Sequence, residues 1–109
     1  MEMHLEPVYF NAIKNGVKIY ETRVFDEKRQ KLKLLDDIKF IERGTNKSFV
    51  KKISELSYYT NFEDAIKDVG IRKVLPNVRS LQDGVKLYES FPGYKDGAKK
   101  NGVLRIKFL

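Results

Sequence analysis

Apolar and polar positions along this chain change their period several times, and each change predicts a boundary. After a short first strand at about residues 4–5, Pro7 stands where the first turn of a helix tolerates a missing N–H. Phe10, Ile13 and either Val8 or Val17 recur at helical spacing, and Asn15-Gly16 supplies the stop. This predicts a short helix over 7–14. Over 18–25 the period drops to two: Val17, Ile19, Glu21 and Arg23 share one side, while Lys18, Tyr20, Thr22 and Val24 share the other. A charged connection over 26–31, an apolar patch over 32–35 and an Asp36-Asp37 turn lead to a strand at 38–42. Arg43-Gly44-Thr45-Asn46-Lys47 is turn chemistry, and 48–59 returns as a long strand. Its apolar side switches between Phe49/Ile53 and Val50/Leu56/Tyr58, which predicts a bulge or a strand that changes sheet at a barrel corner.

The second half reads as helical until its end. Asn61-Phe62-Glu63-Asp64 resembles a capping box and opens a helix to about Val69, closed by Gly70. A turn over 71–75 precedes Pro76, and Ser80-Leu81-Gln82-Asp83 caps a helix carrying Leu81, Val85, Leu87, Tyr88 and Phe91, broken by Pro92-Gly93. The polar stretch 94–101 fits no single period. Residues 103–109 close the pattern as a strand with Leu104, Ile106 and Phe108 on one face. Strand, helix, three strands, helices, strand is an α+β order in which strands distant in sequence must pair, as in a small mixed β-barrel flanked by short helices.

Composition narrows what such a fold can do. The 109 residues hold one domain, spanning 1–109, with no second core. The absence of cysteine removes disulfides, thiolate nucleophiles and Cys-type metal sites, and the single histidine, His4, leaves no basis for a multi-histidine metal site. Nothing in the chain asks for a cofactor or a metal. No apolar run approaches a bilayer span and the first residues are acidic, so the expectation is a soluble cytoplasmic protein without a membrane partner.

The net charge of +7 suits an anionic partner such as RNA or a nucleotide. It is divided almost evenly between the two halves, so it acts as a diffuse field over a folded surface and not through a basic arm. Lysine supplies 16 of the 22 cations, and solubility alone is the plainer use of that surplus.

Candidate chemistry concentrates between Asn15 and Arg23. Glu21 and Arg23 fall on the side of the strand that carries Val17 and Ile19, so they are either an internal ion pair that sets strand register or the floor of a polar cleft. Lys18, just after Gly16, joins them only if it belongs to the turn and not to the strand. A lysine there reaches a phosphate or, when desolvated, serves as base or nucleophile. Tyr58, Tyr59 and Phe62 could stack on a base or simply pack a corner. Lys51, Lys52, Arg72, Lys73 and Arg79 could steer a phosphate backbone.

The run Ile13-Lys14-Asn15-Gly16-Val17-Lys18-Ile19-Tyr20-Glu21-Thr22-Arg23 resembles the signature of the ASCH domain family: a helix end, Gly, one residue, Lys, two residues, a polar residue, one residue and Arg. Leu34 to Phe40, Tyr58 to Phe62, Val74-Leu75-Pro76 and Gly102 to Phe108 are similar to its later segments. The resemblance implies a PUA-like β-barrel flanked by helices, with a cleft that receives RNA or a nucleotide. It implies that Gly16 allows close backbone approach, that Lys18 faces a phosphate or carbonyl, and that Glu21 and Arg23 line the cleft floor. One bacterial branch hydrolyses acetylcytidine with a lysine at the position of Lys18, aided by a Thr three residues on and a downstream Glu. Here Glu21 stands in the place of that Thr, which makes a small amidohydrolase with Lys18 and Glu21 as catalytic residues the alternative to a binding module.

Overall fold

The computed structural model describes all of residues 1–109. Its strands are β1 (Glu2–Leu5), β2 (Tyr20–Val24), β3 (Asp37–Glu42), β4 (Ser48–Tyr59) and β5 (Val103–Phe108), and its helices are α1 (Pro7–Lys14), α2 (Phe62–Lys67), α3 (Ile71–Val74), α4 (Leu81–Ser90) and α5 (Tyr94–Asn101). One further turn of 3-10 helix covers Arg29–Lys31. The five strands form one mixed sheet in the order β1-β3-β4-β5-β2, with β1 parallel to β3 and every other pairing antiparallel. The sheet curls into a half-barrel, so the expected small α+β barrel is the observed architecture.

The parity switch in β4 is the corner of that barrel. Up to Lys52 the strand pairs with β3, and from Ile53 to Tyr59 it pairs with β5, with the register shifted between Ile53 and Glu55. An extra residue at such a shift bends the strand and increases its twist, so one twelve-residue strand serves both walls.

Two buried layers follow from this curl. Met3, Leu5, Ile38, Phe40, Ile53, Leu104 and Ile106 fill the concave side, and α1 plugs it with Phe10 and Ile13. The other face of β2 and β5 packs Tyr20, Val24 and Val103 against Phe62, Ala65, Ile66, Val74 and Tyr88 from the helices. β5 is therefore buried on both sides, with Leu104 and Ile106 facing one layer and Val103 the other.

Helix ends obey local chemistry. The side chains of Asn61 and Ser80 accept hydrogen bonds from the backbone N–H groups of Asp64 and Asp83, fixing the starts of α2 and α4. The stretch 94–101, which fits no single period, is the helix α5. It has no side-chain cap and buries only Ala98 fully. Its contact with the sheet is made through a missing side chain: a Cβ at Gly97 would lie 3.1 Å from Val24 Cγ1. No helix is long and apolar enough to cross a membrane.

Candidate functional site

Strand register decides where the charged residues of β2 point. Glu21 pairs with Ile106 and Arg23 with Leu104, so both acidic and basic side chains fall on the concave face of the half-barrel, at its mouth. There a cleft of about 340 Å³ opens between the end of β1, α1 and the α4–α5 connection. Arg23 spans it, its Nη2 donating to the His4 carbonyl at 3.5 Å, and so links the two edge strands of the sheet.

Lys18 enters the same cleft because β2 begins only at Tyr20. The chain leaves α1 through Gly16, whose φ of 77° is the left-handed region that favours glycine. The amides of Val17 and Lys18 both donate to the Ala12 carbonyl, and this tight exit turns the Lys18 side chain inward. Gly16 itself does not line the cleft. Its contribution is the turn, whereas the family resemblance implied close approach to a ligand.

The three charged groups form one network. Glu21 Oε1 lies 3.3 Å from Lys18 Nζ and accepts from the Tyr88 hydroxyl at 3.1 Å and the Thr22 amide at 3.0 Å. Glu21 Oε2 accepts from Arg23 Nη2 at 3.2 Å. Three of these partners crowd Oε1 and Arg23 alone meets Oε2. Lys18 also donates to the Val74 carbonyl, leaving one ammonium proton, and Arg23 Nη1 donates to the Tyr94 hydroxyl at 3.4 Å.

Burial sets the proton affinities. Removal from water lowers the pKa of Lys18, and the Glu21 carboxylate offsets this only in part. The same burial acts to raise the pKa of Glu21, but Lys18, Arg23 and the Tyr88 hydroxyl outweigh it and hold it below the usual carboxylate range. Burial, followed by the neighbouring carboxylate, pushes Tyr88 well above the usual phenol value, so it remains a donor to Glu21.

The rim adds aromatic surface and one more cation. Tyr9, Tyr88, Phe91 and Tyr94 line the cleft, with Phe91 edge-on to both Tyr88 and Tyr94. Arg43 and Glu6 face each other at 3.6 Å on the exposed lip. Lys18, Arg23 and Arg43 therefore meet the carboxylates of Glu21 and Glu6, three cations against two anions. With most of the Glu21 carboxylate already engaged, the floor offers more donors than acceptors. No group of three or more His, Asp or Glu side chains is arranged to hold a metal ion.

The other candidate residues lie outside this cleft. Tyr58 and Tyr59 are successive on β4 and point to opposite faces, so they cannot form one stacking platform. Tyr58 packs edge-on to Phe25, and Tyr59 donates to Asp68 at 2.6 Å and lies against Arg105. Lys52 pairs with Asp37 at 2.9 Å, next to Lys51 on β4. Arg72 and Lys73 are on α3, facing a separate surface groove. The residues that sequence reasoning missed are Tyr9, Arg43, Tyr88, Phe91 and Tyr94. Tyr88 and Phe91 did stand out as apolar helix positions, but only the packing of α4 on α2 and α5 brings them to the cleft, where Tyr88 meets Glu21.

The same fold occurs in two solved structures of hypothetical proteins. The crystal structure of hypothetical protein PH0355 matches with a TM-score of 0.85 and 36% identity, covering 98% of this chain and 94% of that one. The chain belongs to the PH0355 family. The solution structure of protein PF0455 from Pyrococcus furiosus matches with a TM-score of 0.76 and 28% identity, covering 98% of this chain and 93% of that one. No family model matches the chain, and no curated protein does. At this identity and coverage the PH0355 family shares the whole architecture, half-barrel and helices together.

Proposed function

We propose that this member of the PH0355 family is an ASCH-like module that binds RNA or a nucleotide in the cytoplasm, with the barrel-mouth cleft as the binding site. The observation that carries the reading is the convergence of Lys18, Glu21 and Arg23, the charged positions of the Gly-x-Lys-x-x-Glu-x-Arg run, on one aromatic-lined cleft. A cleft of this volume holds one nucleoside-sized group, and tyrosine and phenylalanine faces stack on an unpaired base. Its free donors on Lys18, Arg23 and Arg43 favour a ligand rich in acceptors, such as a pyrimidine carbonyl edge or a phosphate. Glu21 then holds Lys18 and Arg23 in position.

The test is binding of single-stranded RNA by fluorescence anisotropy across a salt series. Affinity should fall steadily with salt as phosphate contacts release counterions. Binding that ignores salt, or no binding at low salt, contradicts the proposal.

One observation favours a second reading. Lys18 is desolvated, and burial lowers its pKa in spite of the carboxylate beside it, as suits a general base. Acting on an acylated nucleoside such as acetylcytidine, neutral Lys18 would take the proton from the water that attacks the acyl carbon and return it to the departing exocyclic amine as the C–N bond breaks, releasing cytidine and acetate. Incubation with acetylcytidine and chromatography for free cytidine tests this: turnover abolished in Lys18→Ala supports hydrolysis, and no turnover by the wild type removes it.

A further inference from the structure

Behind the cleft, on the other side of one wall, lies a second and more open depression lined by Val17, Arg72, Lys73, Pro76, Asn77 and Arg79. It contains three cations and no carboxylate. All three are exposed and none takes part in an ion pair; what sets them apart from other unpaired surface cations is that they line one depression. Unpaired cations converging on a concave surface raise the local potential and leave their hydrogen bonds to whatever anion arrives. The Asn77 amide and the exposed Val17 side chain add a neutral donor and an apolar contact.

The groove and the cleft are back to back. Val17 lines the groove and Lys18 the cleft; Leu75 lines the cleft and Pro76 the groove. Successive Cα atoms are about 3.8 Å apart, so the partition is one backbone thick. It is also rigid: the Ile19 amide donates to the Lys73 carbonyl at 2.9 Å, and Lys18 donates to the Val74 carbonyl. A nucleic-acid strand seated in the cleft therefore reaches the three free cations by crossing the rim of this wall, not by passing through it.

We infer that the groove of Arg72, Lys73 and Arg79 is a phosphodiester-binding site, which carries the backbone of a single-stranded nucleic acid past the nucleotide seated in the cleft. This rests on the proposed nucleotide reading of the cleft and assigns a partner longer than one nucleotide. The groove supplies affinity independent of sequence, while the cleft supplies the base contacts.

The test compares wild type, the triple variant Arg72→Gln/Lys73→Gln/Arg79→Gln and Arg23→Ala. The probes are a labelled mixed-sequence oligoribonucleotide of about 12 nucleotides and the four ribonucleoside 5′-monophosphates. All three groove positions are exposed, so an unchanged thermal transition shows that the triple variant is folded. The expected result is a loss of oligonucleotide affinity of roughly tenfold or more, with the salt slope falling by about two, at ~0.7 per single-strand phosphate. Monophosphate binding stays at the wild-type level. Unchanged oligonucleotide affinity and slope in the triple variant overturn the inference, as does competition by polyglutamate as effective as that by RNA, which marks an acidic-protein site. If the oligonucleotide depends on the groove but wild type binds no monophosphate and Arg23→Ala binds the oligonucleotide normally, the groove stands and the cleft reading falls.

Discussion

Lys18 and Glu21 are both almost completely buried, and the ammonium of one lies 3.3 Å from the carboxylate of the other. Neither could remain charged at that depth without partners, and Glu21 is the one carboxylate that Lys18 meets. Arg23 and Tyr88 complete the arrangement by approaching the same carboxylate from the cleft and from α4.

Glu21→Gln should therefore be among the most damaging single substitutions in the protein. It keeps the shape but leaves Lys18 and Arg23 without their counter-charge, at an expected cost of about 3–5 kcal/mol. Lys18→Met should cost less, because Glu21 retains Arg23, Tyr88 and the Thr22 amide, and the desolvated ammonium is gone. Urea unfolding of the two variants at neutral pH checks the order.

The same pair predicts a pH dependence. Glu21 binds its proton less tightly in the folded chain than in the unfolded one, for which the ordinary value is 4.5. Its contribution to stability is thus present above that value and lost as pH falls through the depressed folded pKa. The stability gap between wild type and Glu21→Gln should narrow on acidification. Denaturant midpoints measured from neutral pH down to the acid limb report the gap directly.

A second buried cation is independent of the cleft. Arg105 on β5 lies between the rings of Tyr20 and Tyr59, at 4.8 and 5.0 Å, and donates to the Ala65 carbonyl at 3.0 Å and to Asp68 at 3.2 Å. Arg105→Met should cost about 2–4 kcal/mol through the lost cation–π contacts and the orphaned carbonyl. Ligand binding by the folded fraction should be unchanged, since Arg105 faces the helix layer. Calorimetry together with a binding titration separates the two effects.

Two glycines should differ in cost. A Cβ at Gly16 meets nothing within 4 Å, so Gly16→Ala carries only the left-handed backbone penalty of about 1–2 kcal/mol. At Gly102, φ is 80° and the Cβ would lie 2.9 Å from the Tyr59 carbonyl oxygen, so Gly102→Ala should be the more destabilising. Thermal unfolding of both variants tests that order.

Most elements were legible because they rest on local chemistry. Pro7 and Gly16 bracket α1, Asn61 and Ser80 cap their helices, and the parity switch along β4 marks the barrel corner. The helix α5 was not legible, because Gly97 and a run of charges erase its apolar stripe; what it packs with is the absence of a side chain against Val24. Of the site, the charged floor could be read, including the dependence of Lys18 on the turn. The aromatic wall could not: Tyr9, Tyr88 and Tyr94 come from three helices, and only the curl of the sheet makes them neighbours of Arg23. For Tyr58 and Tyr59 the sequence left stacking and corner packing both open, and the fold sets the two rings on opposite faces, Tyr58 against Phe25 and Tyr59 against Arg105.

If the cleft reads a base as proposed, Arg23 should separate recognition from attraction. It keeps some of its donors free toward the cleft, so Arg23→Ala should erase preference among homopolymeric RNAs while reducing total affinity by a smaller factor, since the remaining surface charge persists. Competition titrations with the four homopolymers measure both quantities.

The most direct test of the central claim is an amide and side-chain NMR titration of the wild-type protein with ribonucleoside 5′-monophosphates. Saturable shifts confined to Tyr9, Lys18, Glu21, Arg23, Tyr88 and Tyr94 are the predicted result, lost in Arg23→Ala. Shifts confined to residues outside the cleft, or none at millimolar nucleotide, would contradict it.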